Sequence, residues 1–220
     1  MKKLFFLGML LTALGAKAQY NDNYNTYWNQ RATLFAALPV TSDDIIFVGN
    51  SITDGGEWWE LFQTPGIKNR GISGDTSRGV IDRLDPIVAG KPKKVFLMIG
   101  INDLSRGLTI DSIAANVAQI VGRLRIESPQ TKIYIQSTLP VSDEKDMFKG
   151  HSARRDDVAP LNELYKKIAL DNGATYIDLY SQFVNPQTGK MNLKYSNDGL
   201  HLLGEGYILW GKIAKPYVEE

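Results

Sequence analysis

Val95-Phe-Leu-Met-Ile99, closed by Gly100, is five apolar residues with no polar interruption. A half-exposed strand alternates apolar and polar positions, so an unbroken run of this length reads as a parallel strand covered on both faces. Asp44-Ile-Ile-Phe-Val48, closed by Gly49, reads the same way. A weaker strand lies at Ile67–Arg70, and Lys132–Ser137 and Thr175–Leu179 supply a fourth and a fifth. Between them, helical spacing covers Tyr27–Leu38 (apolar at Trp28, Leu34, Phe35 and Leu38), Thr76–Ala89, Asp111–Glu127, about Asp157–Asn172 and Gly204–Tyr217. Asp111 is the expected N-cap of its helix, and Asn172-Gly173 stops the next. Strands alternating with helices predict an α/β fold, a three-layer sandwich around a parallel sheet. No repeat, low-complexity tract or linker interrupts residues 19–220, which are read as one domain.

Composition narrows the chemistry. The 220 residues carry 25 Lys and Arg against 24 Asp and Glu, so no strong field points to nucleic acid or an anionic membrane. There is no cysteine, which excludes disulfides, thiolate metal sites and a cysteine nucleophile. Only His151 and His201 can supply an imidazole, so no multi-histidine metal site is expected.

Met1–Ala18 has Lys2-Lys3, an apolar core from Leu4 to Leu14 and the small-residue site Ala16-Lys-Ala18. This is the pattern of a cleaved secretory signal peptide, too short in its core to anchor the chain stably in a bilayer. The expected address is the periplasm or the exterior. Cleavage would remove Lys2, Lys3 and Lys17 and no acid, turning the slight positive charge slightly negative.

Ligands of open α/β sheets bind outside the carboxyl ends of the strands. Four short segments lie there or before the last helix. Ser51 follows the first strand directly; a serine in that place is either an N-cap or an exposed hydroxyl. His201 follows Asp198 by three residues, and an imidazole held in one tautomer by a carboxylate can activate a serine hydroxyl. Taken singly, Asp198 and His201 are equally a capping pair on the surface. Gly74 and Asn102 follow later strands, and a backbone N–H beside glycine and an Asn amide suit an oxygen that becomes negative. His151, in Lys149-Gly-His-Ser-Ala-Arg-Arg155, is read as part of a solvent-facing loop or lid.

The blocks Gly49-Asn-Ser51, Ile72-Ser-Gly74-Asp-Thr76, Gly100-Ile-Asn102-Asp103 and Asp198-Gly-Leu-His201 together resemble the SGNH (GDSL-type) hydrolases. Asn69–Leu84 and the ending Gly199-Leu-His201-Leu-Leu-Gly-Glu-Gly-Tyr207 are most similar to the platelet-activating-factor acetylhydrolase catalytic-subunit branch. The resemblance implies a flavodoxin-like five-stranded sheet of order 2-1-3-4-5 and metal-free, cofactor-free ester hydrolysis. It implies Ser51 as nucleophile, His201 as general base and acid, and Asp198 as the orienting carboxylate. The oxyanion hole would be Ser51 N–H, Gly74 N–H and the Asn102 amide. One departure is Asn50, where the family usually has Asp, which puts local support of that block in doubt. Thr53 replaces the last glycine of G-x-S-x-G, against an α/β-hydrolase elbow.

Trp58, Trp59 and Arg106 are candidate substrate-binding residues, with at most one tryptophan expected to face the core. The expected partner is a small-molecule ester, acetylated glycans first. Lysophospholipase, short-chain thioesterase and a non-catalytic glycan-binding protein on the same scaffold stay open.

Overall fold

Five short segments form one parallel sheet, because in each the backbone polar groups pair with neighbours while side chains go to either face. They are β1 (Ile45–Gly49), β2 (Ile67–Gly71), β3 (Lys94–Met98), β4 (Lys132–Gln136) and β5 (Thr175–Ile177), in the order β2-β1-β3-β4-β5. This is the order that the resemblance implied. The structure, a computed structural model, describes residues 20–220; the expected signal peptide, Met1–Ala18, lies outside the described residues.

Register explains the centre of the core. Phe47 lies opposite Phe96, and Phe96 opposite Tyr134. Three neighbouring strands therefore point an aromatic ring to the same face. The rings stack in a row, with centroids 4.6 Å apart from Phe47 to Phe96 and 4.4 Å from Phe96 to Tyr134. Trp58 extends the row at 4.3 Å from Phe47 and meets Trp210 edge-on at 4.6 Å. Offset aromatic pairs add to the burial of large apolar area. The helix Gly204–Glu219 covers this face together with Trp58–Phe62. The helices Ser77–Asp82, Asp85–Gly90, Ile110–Glu127 and Val158–Asp171 pack on one another, the last also against β4 and β5.

Two helix expectations need correction. Thr76–Ala89 is two helices, Ser77–Asp82 and Asp85–Gly90. Pro86 has no N–H to continue the first helix and suits the opening turn of the second. The N-cap of Ile110–Glu127 is Thr109, whose hydroxyl accepts the Ser112 N–H at 3.2 Å, so Asp111 lies inside the first turn. Asn172 is the C-cap of Val158–Asp171, with Gly173 left-handed behind it (φ +61°).

At the start of β3, Lys94 is fully buried and its Nζ donates to the carbonyls of Tyr217, Val218 and Glu220 at 2.8–2.9 Å. The last turn of the Gly204–Glu219 helix thus meets a cation where its carbonyls lack helical partners.

Phe96 sits mid-row and is completely buried. Phe96→Ala is expected to cost about 3–5 kcal/mol, because ring contacts on both neighbouring strands are lost and a cavity remains. Urea unfolding of wild type and variant, compared at unchanged slope, measures it.

Candidate active site

The carboxyl end of β1 turns into the short helix Ser51–Asp54. Asn50 is its N-cap, with extended backbone and a side-chain oxygen that accepts the Ile52 N–H at 3.0 Å. The amide therefore does the capping of this turn without a charge. Three further groups hold the turn from behind. Asn69 Nδ2 donates to the carbonyls of Thr53, Asp54 and Gly56 at 2.9–3.1 Å. Trp58 Nε1 donates to the Thr53 carbonyl and the Tyr207 hydroxyl to that of Ile52, each at 2.9 Å. Gly71, at the end of β2, lets this turn pack directly on the strand, since a Cβ there would collide with the backbone of Asp54.

Ser51 Oγ lies 3.0 Å from His201 Nε2, and His201 Nδ1 lies 2.8 Å from Asp198 Oδ2. With the carboxylate accepting, Nδ1 carries the proton and Nε2 presents its lone pair to the serine hydroxyl. The other Asp198 oxygen accepts the N–H groups of Leu200 at 2.8 Å and His201 at 2.7 Å. Burial pushes the Asp198 carboxyl up, but these N–H groups and the imidazole outweigh it and hold the pKa below its ordinary value. Ser142 N–H donates to the Gly199 carbonyl at 2.9 Å, which fixes the loop to the chain after β4.

Gly74 sits in a turn closed by Asp75 N–H on the Ile72 carbonyl at 3.0 Å, with φ +79°, a conformation that favours glycine. Asp54 Oδ2 accepts from Ser73 N–H at 3.2 Å and Oγ at 2.8 Å, tying this turn to the one bearing Ser51. Among the described residues, neither Ser51 N–H nor Gly74 N–H donates to a protein group. Asn102, in the short helix after β3, is buried and its Nδ2 donates to the Asp75 carbonyl at 2.9 Å.

Beneath these loops lies a polar layer that sequence reading missed. The Asp75 carboxylate accepts from Trp28 Nε1 at 2.9 Å, Thr76 N–H at 2.9 Å and Arg83 Nε at 2.8 Å. Arg83 Nη2 donates to the Gly49 carbonyl at 3.2 Å. Burial pushes the Asp75 carboxyl up, against the pull of Arg83 and the other donors. Asp103 accepts both Ser77 N–H, at 3.0 Å, and Ser77 Oγ, at 2.5 Å. Asp75 adjoins Gly74 in sequence and was open to suspicion on that ground. Nothing local marks Arg83, eight residues on and in an apolar helix pattern.

Ser51, Asp198, His201, Gly74 and Asn102 thus meet at one edge of the sheet. The other candidates need correction. Trp58 is fully buried in the aromatic row, which leaves no face of its ring open to a ligand, whereas Trp59 is exposed. Arg106 is exposed and donates through Nη2 to the Gly74 carbonyl at 2.7 Å, which braces the turn. His151 lies in the short helix Lys149–Ser152 of a largely exposed segment, but its ring turns inward. Its Nε2 lies 2.9 Å from Asn102 Oδ1, and Phe148 packs edge-on against both histidine rings. The segment's polarity concealed that it folds back over the site.

A serine, an imidazole and a carboxylate in series, at the carboxyl edge of a parallel α/β sheet, define a hydrolase-type site. Comparison gives the family. Residues 47–209 match the GDSL-like Lipase/Acylhydrolase family. The chain is 30% identical over 184 residues to the platelet-activating factor acetylhydrolase IB subunit alpha2 of Rattus norvegicus and, equally, of Homo sapiens, covering 80% of this chain and 75% of theirs. A GDSL-like lipase from Bacteroides thetaiotaomicron superposes with TM-score 0.73 at 26% identity, over 87% of this chain and 97% of that one. An acetylxylan esterase from Geobacillus stearothermophilus shares the fold, with TM-score 0.66 at 19% identity over 82% and 95% of the two chains. The chain belongs to the GDSL-like lipase/acylhydrolase family. It is a carboxylic ester hydrolase.

Arg83→Met leaves the buried Asp75 carboxylate without its cation, and such a loss costs about 3–5 kcal/mol. Thermal unfolding should register that loss. Activity per folded molecule should fall too, because the Gly49 carbonyl and the Asp75 segment lose their common tie.

Proposed function

We propose that this chain is a secreted or periplasmic serine esterase that removes small acyl groups, acetyl foremost, from carbohydrates through an acyl-enzyme. The observation that carries the mechanism is the continuous chain Ser51 Oγ–His201 Nε2, His201 Nδ1–Asp198 Oδ2, at 3.0 and 2.8 Å. Ser51 Oγ bonds to the ester carbonyl carbon while its proton passes to His201 Nε2. The carbonyl oxygen becomes an oxyanion facing Ser51 N–H, Gly74 N–H and the Asn102 amide, and Asp198 stabilises the imidazolium. Collapse expels the alcohol, which takes the proton from His201. Water then attacks the acyl-serine, giving its proton to His201, and Ser51 leaves with that proton.

Acetyl preference is supported by two names among the similar proteins, an acetylhydrolase and an acetylxylan esterase. Export is supported by the signal-peptide pattern of Met1–Ala18. A second reading, longer acyl chains as in a lysophospholipase, is favoured by one feature: Met147 and Phe148 are partly exposed apolar side chains, and Phe148 lies beside His201. A panel of p-nitrophenyl esters from acetate to decanoate, with acetate release from acetylated xylan, separates the two. The proposal expects the highest kcat/KM at acetate and measurable release from the glycan; a maximum at decanoate overturns the acetyl assignment.

Ser51→Ala should lower kcat by ~10⁴-fold or more while leaving the unfolding midpoint near that of wild type, measured by ester hydrolysis and thermal unfolding. The pH dependence has a definite sign. Imidazolium has no lone pair for the serine proton, so activity is absent at low pH and rises as His201 loses its proton. Asp198, with its pKa held down, stays charged across that range and adds no second limb. kcat/KM is expected to rise with pH, and a flat profile from about pH 5 to 8 would count against His201 as base.

A further inference from the structure

Asn102 has two side-chain contacts, and they constrain it from opposite ends. Its Nδ2 donates to the Asp75 carbonyl at 2.9 Å, and its Oδ1 faces His151 Nε2 at 2.9 Å. A flipped amide would set Oδ1 against the Asp75 carbonyl, acceptor on acceptor, so the orientation is determined. Since Oδ1 only accepts, His151 must donate from Nε2, which assigns its tautomer. One Nδ2 hydrogen is spent on Asp75 and the second is left over. A donor on Oδ1 also polarises the amide, and hydrogen bonds in series strengthen one another where water is scarce.

His151 reaches Asn102 from 49 residues away on a segment that is itself held. The short helix Lys149–Ser152 packs against Ile101–Ser105, the helix that bears Asn102. At the base of the segment, Asp143 receives Arg155 Nη1 at 2.5 Å and Lys190 Nζ at 2.7 Å. Phe148 bridges the two histidine rings, at centroid distances of 5.8 Å to His151 and 5.0 Å to His201. We infer that His151 is a positioning residue, whose Nε2–H holds the Asn102 amide so that its remaining N–H points at the developing oxyanion. The inference rests on Asn102 being an oxyanion donor in the proposed reaction. The ring also takes up protons less readily than an ordinary histidine, chiefly through burial and then through His201 and Arg106, so the single-donor neutral form is favoured.

The test is a double-mutant cycle on p-nitrophenyl acetate with kcat and KM resolved. Asn102→Ala alone is expected to lower kcat about 10²–10³-fold. His151→Ala should lower kcat about 10–100-fold with KM nearly unchanged, and should add little once Asn102 is already Ala. His151→Gln carries an N–H at nearly the position of Nε2 and should recover most of the loss. It also covers the case in which the alanine variant folds poorly. The inference is overturned if His151→Ala costs as much in the Asn102→Ala background as in wild type, if the loss falls on KM alone, or if glutamine gives no recovery. If Asn102→Ala itself leaves kcat intact, the oxyanion assignment fails instead, and the two failures are told apart.

Discussion

Asp75 and Arg83 are both buried, and each would be costly without the other. Their pairing holds three strand ends in one arrangement. Arg83 reaches the Gly49 carbonyl, one residue before the cap of the Ser51 turn, and the Asp75 backbone carbonyl takes the Asn102 amide. The Asp75 carboxylate also receives the Trp28 indole, which brings in the N-terminal helix Thr26–Ala37. The proposed reaction places its nucleophile and oxyanion donors on separate loops, and these need relative positions good to a fraction of an ångström, because misplacement by 1 Å can cost two orders of magnitude in rate. A buried ion pair adds little net stability, yet it is specific about geometry, and here the geometry is what the site needs.

The same economy appears around the other turns. Asp54 links the Ser51 turn to Ser73, Arg106 closes on the Gly74 carbonyl, and Asn69 gathers three carbonyls of the nucleophile loop. Each of these polar side chains is committed to loop backbone within a site that also has to admit a substrate. The aromatic row from Trp58 to Tyr134 lies under them and supplies the rigid sheet from which the loops project.

Much of this is legible in the amino-acid sequence alone. Buried parallel strands announce themselves as unbroken apolar runs, which marks β1 and β3. β2, Ile67-Lys-Asn-Arg-Gly71, is a polar edge strand with a weaker signal, and the expected bounds of all five agree with the structure to within two residues at each end. The five residues of the constellation were legible because each follows a strand or precedes the last helix in a short, recognisable block. What escaped has a common cause: its partner lies far away in sequence. Trp58 was ambiguous because an indole suits a platform and a core equally, and only Phe47 and Trp210 decide it. Arg83 sits 34 residues from Gly49, and His151 lies in a charged segment whose composition reads as solvated. The split of Thr76–Ala89 is a different case, since its cause, Pro86, is local: it ends the helical continuity and suits the opening turn of Asp85–Gly90.

The central claim is that Ser51, activated by His201, attacks the ester. Labelling the protein with a fluorophosphonate and locating the adduct by peptide mass spectrometry tests it most directly. Stoichiometric modification of Ser51, lost when His201 is replaced by alanine, is the result the account predicts. An active protein that takes up no label at Ser51, or takes it up at another residue, would contradict it.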